Sequence, residues 1–429
     1  MLKNFSVARS AFLFLSGTLL SRLFGLLRDL SMSFCFGAHP ALAAFFVSYR
    51  LANLMRRLFG EGALSSGFIP QFETIRKTSP LASALFFRDL AFSLSLFLIG
   101  LILLIEGGFF IALNMGHLGE EARQLILLMM TILPGILFIC QFGLSAAFLH
   151  CEKRFFLSGF APVMFNVIWI GAVWILKNQD LSQAVVWLSF SIVVAFLVQL
   201  LVTLPPSFVF FKSHLSLQQF FRPQLFSRDI QALLKPLLLG LAGVGAVQVN
   251  SALDAVFARF AAPEGPAYLW YAIRIEQLPL ALFGIALSSA LLPALSKAIC
   301  DGDSNRYLRL VRFGLTRSFS LILPCTFGLF VLGVAGVNML YGRGHFTDTA
   351  TLNTAICLWG YAMGLVPSVF VLLLAPAFYA KKDYRTPMRA ALFSVILNII
   401  LNAFLVFILK LGAFSVAVST SAAAFFNCG

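Results

Sequence analysis

The chain has 429 residues, of which 60% are hydrophobic and only 11% are charged, and its mean hydropathy is +0.93. A soluble domain carries about 25% charged residues, so this composition excludes a soluble protein and indicates an integral membrane protein. The net charge of +14 does not indicate nucleic-acid binding, because the basic residues are scattered over short loops and helices and form no single patch with interleaved aromatic residues.

Apolar segments long enough to cross a bilayer recur along the whole chain. Several exceed the ~20 residues that a span requires, so we expect tilted helices or helix ends outside the bilayer. Twelve segments are predicted to be helices, at approximately 10–36, 40–76, 86–114, 121–150, 155–176, 182–211, 231–260, 266–296, 308–340, 350–380, 386–409 and 412 onward.

The loops between these segments alternate in charge, and one alternate set holds nearly all of the loop lysine and arginine. The positive-inside rule places that set, together with the N-terminus, in the cytoplasm. The stretch from Lys212 to Lys235 is predicted to form an amphipathic helix on the cytoplasmic surface that joins two halves. We therefore predict an N-terminal bundle (1–212), a linker (213–230) and a C-terminal bundle (231–429).

An internal repeat supports two halves. The chain reads RLANLMRRLFGEGALSSGFIP from Arg50 and RIEQLPLALFGIALSSALLP from Arg274. The copies lie in the second and eighth segments, an even offset of six helices, so they are predicted to run in the same direction about an axis along the membrane normal. The predicted fold is all-α and polytopic, with two pseudo-symmetric six-helix bundles around a central cavity and Arg50 near the equivalent of Arg274.

Residues 21–70 carry arginines inside otherwise apolar helices. Each arginine at bilayer depth costs roughly 2.5–3.5 kcal/mol on insertion scales, which implies a use. We interpret them as the wall of a wet, positively charged cavity for an anion; the alternative is arginines at helix ends that reach the lipid headgroups. The stretch holds Arg22, Arg28, Arg50, Arg56 and Arg57, against the acids Asp29 and Glu61.

Helical spacing separates these arginines by role. Arg57 and Glu61 are four residues apart and can pair, so Arg57 is predicted to be structural. No acid lies three or four residues from Arg56, and the spacing of Arg274 and Glu276 puts them on opposite helix faces. Arg56 and Arg274 are therefore candidate ligands. Asn53, Ser21 and Gln277 would supply neutral hydrogen bonds to the same ligand. The alternative for each is a hydrogen bond to a neighbouring helix.

Five motifs carry a resemblance across essentially the whole chain: SRLFGLLRD, FFVSYRLANLMRRLFGEGALSSGFIP, YAIRIEQLPLALFGIALSSALLPALS, LYGRGHF and AFYAKKDYRTP. They resemble the lipid II flippase family (MurJ, also called MviN) of the multidrug/oligosaccharidyl-lipid/polysaccharide superfamily. The resemblance implies that four arginines line the cavity and bind the diphosphate and sugar head of lipid II, the lipid-linked peptidoglycan precursor. These are Arg22, Arg28, Arg56 and Arg274, and Glu61 matches the acid of the family's EGA motif.

Two departures from the family concern acids. Where the family often has an acid before the FFV run, this chain has Ala43, and where it has an acid before the eighth-segment arginine, this chain has Ile273. Both changes leave the expected cavity more positive. Family members carry fourteen helices and this sequence stops within the twelfth predicted one, so we expect a truncated sequence or a gene fragment.

A second constellation combines Asp254 with Asn398, Asn402 and Thr420. It is similar to a sodium site that some family members build from their seventh, eleventh and twelfth helices. An oxygen-only set suits a hard cation. The alternative is that Asp254 pairs with Arg259 or Asn250 for structural reasons.

The predicted function is that of a bacterial cytoplasmic-membrane flippase, a monomer that moves lipid II from the inner to the outer leaflet by alternating access without covalent chemistry. No cofactor other than a sodium ion is predicted, and the predicted partners are lipid II and membrane lipid. The alternative within the superfamily is export of a drug or of another polyprenyl-linked oligosaccharide. A membrane enzyme acting on polyprenyl diphosphates would need a carboxylate cluster for Mg²⁺, which the sequence does not indicate. A structural scaffold would not need the arginines.

Overall fold

The computed structural model describes residues 2–59, 63–116 and 118–429, and every regular element in those ranges is helical. The α-helices are α1 (Leu2–Phe36), α2 (Pro40–Phe59), α3 (Ala63–Thr78), α4 (Pro80–Asn114), α5 (Glu120–Ile132), α6 (Gly135–Cys151), α7 (Phe155–Leu176), α8 (Leu181–His214), α9 (Leu217–Phe220), α10 (Arg228–Ala261), α11 (Gly265–Pro279), α12 (Ala286–Cys300), α13 (Ser304–Tyr341), α14 (Asp348–Met363), α15 (Leu365–Ala380), α16 (Arg385–Ala403) and α17 (Phe414–Cys428). Single π-helical turns follow α11 at Leu280–Ile285 and α16 at Phe404–Ile408. The predicted all-α membrane fold is confirmed.

Several helices begin at a side chain that caps the first turn, where backbone N–H groups lack partners within the helix. Ser79 Oγ accepts from the Ala82 N–H at 3.2 Å, and Pro80 then occupies the first helical position. Hydrogen bonds from Thr386 and Arg385 to the Asp383 carboxylate, just before α16, hold the pKa of Asp383 below its ordinary value. The same kind of cap opens α8, α13 and α14, through Asp180, Asp303 and Thr347.

Each of the twelve predicted segments is largely helical where the chain is described. By length and hydropathy, six helices of the described chain can each cross a membrane, or eight when each bent pair counts as one span. The segments 121–150 and 350–380 were predicted as single helices, which is wrong: α5 and α6 meet at 41°, and α14 and α15 meet at 43°. Pro134 and Gly364 lie at these breaks, and both residue types interrupt helical continuity.

The predicted amphipathic helix from Lys212 to Lys235 is wrong in extent. Helix α8 continues to His214, α10 begins at Arg228, and only the four residues of α9 are helical between them. Ser216 and Gln219 form a capping box at the start of α9. Pro223 removes an N–H donor and disfavours helical backbone at the preceding residue, so the helix cannot continue.

The linker around α9 is held against α4 by a buried ion pair. Arg88 pairs with the neighbouring Asp89 and donates to the Gln219 carbonyl oxygen. Asp89 Oδ1 also accepts from the Gln224 N–H at 2.9 Å, and Ser93 Oγ donates to the Leu225 carbonyl at 2.8 Å. These bonds satisfy the backbone of an irregular segment that has few helical partners of its own.

The chain divides into two compact units. Unit 1 comprises residues 1–35 and 48–248, and unit 2 comprises residues 36–47 and 249–429. Helix α2 therefore contributes its first residues to unit 2 and the remainder to unit 1, while α10 contributes to both units in the opposite order. The predicted boundaries at 212 and 231 remain a prediction, and the compact units differ from them at 36–47 and 213–248.

Unit 1 has a core of phenylalanine side chains near the linker. The rings of Phe87 and Phe148 stack at 4.7 Å, and Phe68 stacks on Phe86 at 5.8 Å. Because offset-stacked and edge-on aromatic pairs add to the hydrophobic gain of burial, this cluster ties α3, α4 and α6 together.

Unit 2 incorporates the segment 36–47 through hydrogen bonds and ring contacts. Tyr271 Oη donates to the Gly37 carbonyl at 3.1 Å, and Arg259 donates to the Pro40 carbonyl at 3.1 Å. Phe46 stacks on Trp270 with ring centres 4.5 Å apart. A loop and the start of α2, which come early in the sequence, are thus part of the core of the later unit.

Gly37 is a sensitive position in this segment. Its φ of +62° lies in the left-handed region, and a Cβ there would collide with the His345 carbonyl oxygen. We expect Gly37→Ala to lower the free energy of unfolding by about 2–4 kcal/mol, from strain plus overpacking, and to lower the apparent Tm in detergent. The matched control is Gly412→Ala, with φ of +68° and nothing within 4 Å. Equal losses in both variants would contradict a role for the contact with His345.

Candidate functional site

Arg28 is buried in unit 1, with 6% of its surface exposed, and is held by side chains from two helices. Its Nε and Nη2 atoms donate to Asp29 Oδ1 at 3.0 and 2.8 Å, and Nη1 donates to Asn166 Oδ1 at 3.1 Å. The guanidinium lies 4.4 Å from the ring centre of Trp169. Ion pairing, hydrogen bonding and a cation–π contact together fix its orientation.

Helix α7 supplies two of these partners, Asn166 and Trp169, which were not predicted from the sequence. Asn166 and Trp169 are three residues apart, so they share one helix face. Trp169 is fully buried, and Tyr49 and Phe165 pack edge-on against it at 4.9 and 5.6 Å. An amide inside the apolar run FFLSGFAPVMFNVIWIGAVWIL is the one sequence feature that could have indicated Asn166.

Arg56 and Asn53 are brought together, as their spacing on α2 allows. Arg56 Nε donates to Asn53 Oδ1 at 2.7 Å, and both residues are half-buried. Arg57, the next residue, is exposed, and so is Arg22 on α1. Glu61 lies outside the described residues, so its pairing with Arg57 stays a prediction.

Arg274 lies in unit 2 on α11, half-buried, with its guanidinium 4.8 Å from the ring centre of Trp270. The two residues are four apart and therefore share one helix face. Glu276 is buried and Gln277 is exposed. Helical spacing predicted Arg274 as a candidate ligand but gave no indication of Trp270.

Asp254, Asn398, Asn402 and Thr420 form a cluster within unit 2. Asn402 Nδ2 donates to Asp254 Oδ1 at 2.8 Å and to Asn398 Oδ1 at 2.7 Å. Thr420 Oγ1 donates to Asp254 Oδ2 at 3.4 Å and accepts from Asn398 Nδ2 at 3.4 Å. Three helices, α10, α16 and α17, thus bring one carboxylate, two amides and a hydroxyl to one buried place.

The orientation of the Asn398 amide decides the chemistry of this cluster. With its amide rotated, Asn398 donates to Asp254 Oδ1 at 3.0 Å and to Asn250 Oδ1 at 3.1 Å, and accepts from the Thr420 N–H at 3.2 Å, while its Nδ2 then faces Asn402 Nδ2 at 2.7 Å. Without that rotation, Asn398 Oδ1 lies 3.0 Å from Asp254 Oδ1 and 3.1 Å from Asn250 Oδ1. Three oxygen acceptors so close together would favour a cation among them. Asn402 Oδ1 is buried with no hydrogen-bond partner within the residues that the structure describes, so the donor set also fits an oxygen-liganded cation. Arg259, which the sequence offered as an alternative partner of Asp254, donates to the carbonyl oxygens of Pro40 and Pro263.

Comparisons with known proteins agree with this architecture. The family described as "Lipid II flippase MurJ" matches residues 32–429. The probable lipid II flippase MurJ of Chlamydia muridarum is 34% identical over 400 residues, which is 92% of this chain and 73% of that protein.

Two solved structures show a similar fold. A lipid II flippase MurJ in an inward closed conformation is 24% identical with a TM-score of 0.81, covering 97% of this chain and 86% of that one. An inward-facing multidrug-resistance MATE transporter of the MOP superfamily is 16% identical with a TM-score of 0.74, covering 97% of this chain and 95% of that one. Because the family match covers most of the sequence, this chain belongs to the lipid II flippase MurJ family.

Proposed function

We propose that this multi-pass inner-membrane protein is a flippase that translocates lipid II from the cytoplasmic to the outer leaflet by alternating access. Family membership over residues 32–429 is the observation that carries this proposal. The arginines of α1, α2 and α11 are chemically suited to the cargo, because guanidinium groups bind diphosphate oxygens through charge-assisted hydrogen bonds. No covalent step is part of the proposal.

The substrate-binding residues in this proposal are Arg22, Arg28, Asn53, Arg56, Glu61 and Arg274. Arg28 is held by Asp29, Asn166 and Trp169, so its contribution is a fixed positive charge more than an adaptable ligand. Arg56 and Arg274 are half-buried; Arg56 donates to Asn53, and Arg274 lies over Trp270. We assign the direct diphosphate contacts to these two.

The cluster of Asp254, Asn398, Asn402 and Thr420 is proposed as a sodium site. One carboxylate with three neutral groups gives a net charge of −1, which suits a monovalent hard cation better than a divalent one. When bound, sodium would join α10, α16 and α17 by replacing hydrogen bonds with ion–oxygen contacts. The protein is further proposed to act as a monomer with its N-terminus in the cytoplasm.

Expression in bacteria depleted of their own lipid II flippase tests the proposed function. We expect the protein to restore growth and the appearance of lipid II in the outer leaflet. The MATE-like fold favours one alternative, export of a drug or of another polyprenyl-linked oligosaccharide. If the protein reaches the membrane but does not restore growth, and instead lowers drug accumulation, the flippase assignment is wrong.

A further inference from the structure

Two of the candidate arginines lie over buried tryptophan rings. Arg28 lies 4.4 Å from Trp169 in unit 1, and Arg274 lies 4.8 Å from Trp270 in unit 2. Arg28 is fixed in addition by an ion pair with Asp29 and by the hydrogen bond that it donates to Asn166 Oδ1. For Arg274, Trp270 is the aromatic platform one helical turn earlier on α11.

Trp270 is itself held by the start of α2. Its ring is nearly parallel to that of Phe46, with 4.5 Å between the ring centres and 9° between the planes. Phe46 is fully buried and also packs edge-on against Tyr271 at 5.9 Å. Trp270 is only 5% exposed, so its ring is unsuited to contact a large substrate directly. Its role therefore has to act through a neighbour.

Stacking orients an arginine without using its hydrogen-bond donors. The N–H groups of a guanidinium lie in the plane of the group, so contact between its face and an aromatic ring leaves them directed sideways. A diphosphate needs two such parallel N–H groups at a defined angle. A lysine ammonium has no plane, so the tryptophan ring cannot orient it in the same way.

We infer that Trp270 is a positioning residue that orients the Arg274 guanidinium for bidentate contact with the substrate diphosphate, and that Phe46 fixes the plane of the Trp270 ring. This inference rests on the proposed function and deepens it. It assigns a specificity role to two residues that do not touch the substrate. It also makes the start of α2 part of the support for a candidate ligand on α11.

A double-mutant cycle on the purified full chain tests the inference, with a fluorescent short-chain lipid II as the probe. Affinity is measured for the parent, Trp270→Leu, Arg274→Lys and the double variant, and thermal stability is measured for each. We expect Trp270→Leu to weaken binding about tenfold in the parent and less than about twofold in the Arg274→Lys background, because residues that act through each other are non-additive. Trp270→Phe should restore most of the affinity.

The outcomes separate the two proposals. If Trp270→Leu weakens binding by the same factor in both backgrounds, Trp270 is merely structural and the inference is overturned. If Arg274→Lys alone leaves affinity unchanged, the assignment of Arg274 as a diphosphate ligand fails first. Should Trp270→Leu not fold, Phe46→Leu takes its place in the same cycle: we expect a loss of about threefold in the parent only, and an equal loss in both backgrounds would overturn the inference.

Discussion

Arg56→Lys and Arg274→Lys are each expected to abolish or sharply reduce lipid II transport while leaving charge and membrane insertion intact. Guanidinium meets the edge of a diphosphate with two parallel charge-assisted hydrogen bonds, and a lysine ammonium cannot reproduce that geometry. Each lost contact is worth on the order of 1.5–3 kcal/mol. The measurement is growth of a flippase-depleted strain that carries each substitution in the otherwise unchanged protein, with membrane levels checked by immunoblot.

The control is Arg57→Lys, one residue from Arg56 on the same helix. Arg57 is exposed where Arg56 is half-buried, so its replacement should be milder. If both lysine variants at positions 56 and 274 supported growth as well as the parent does, the arginines would provide only positive potential. The hypothesis of a specific diphosphate contact would then fail, and the molecule that the cationic site binds would no longer be identified.

Asp254→Ala is expected to remove sodium-dependent thermal stabilisation while the fold is preserved. Asp254 supplies the one carboxylate among the four proposed ligands, and it is 6% exposed. A cation that binds only the folded state stabilises it by about 2.7 kcal/mol when its concentration is a hundred times Kd. The apparent Tm of the purified protein is compared in sodium chloride and in choline chloride at equal ionic strength.

Asp348→Asn is the matched control for that experiment. Asp348 is an exposed acid in the same unit, in the first turn of α14, so its replacement should leave the response to sodium unchanged. If the parent protein showed equal Tm values in sodium and choline, the four residues would be a hydrogen-bonded structural cluster. The rotated amide of Asn398, which bonds Asp254 and Asn250, would then describe the native arrangement.

Much of the fold could be predicted from hydropathy, because spanning helices need long apolar runs and each run in this chain is largely helical where the structure describes it. Hydropathy averages over a window, so it did not resolve the bends at Pro134 and Gly364, where one apolar run continues through two helix directions. The amphipathic pattern from Lys212 to Lys235 likewise predicted too long a helix, because the interruption near Pro223 depends on the backbone of one residue.

The candidate arginines were visible in the sequence because a cation in an apolar helix is conspicuous, whereas their supports were not. Asn166 lies 138 residues from Arg28 in sequence. Trp270 looks like an ordinary membrane-helix aromatic until Phe46 is seen stacked on it. Spacing rules address neighbours on one helix, and these contacts join helices whose packing partners no local pattern specifies. The cluster around Asp254 was found through a family resemblance, since its members lie on three separate helices.

The membership of segment 36–47 in unit 2 has a consequence for the order in which the protein is made. Phe46 leaves the ribosome long before Trp270, and at roughly 5–20 residues per second the delay is on the order of 10–45 s. Gly37 waits longer still for His345. During that interval the start of α2 is already made while its aromatic partners on α11 do not yet exist, so the contact between Phe46 and Trp270 forms only after α11 has been made. Assembly of unit 2 therefore depends on segment 36–47, which is synthesised early and packs against its partners only after they have been made.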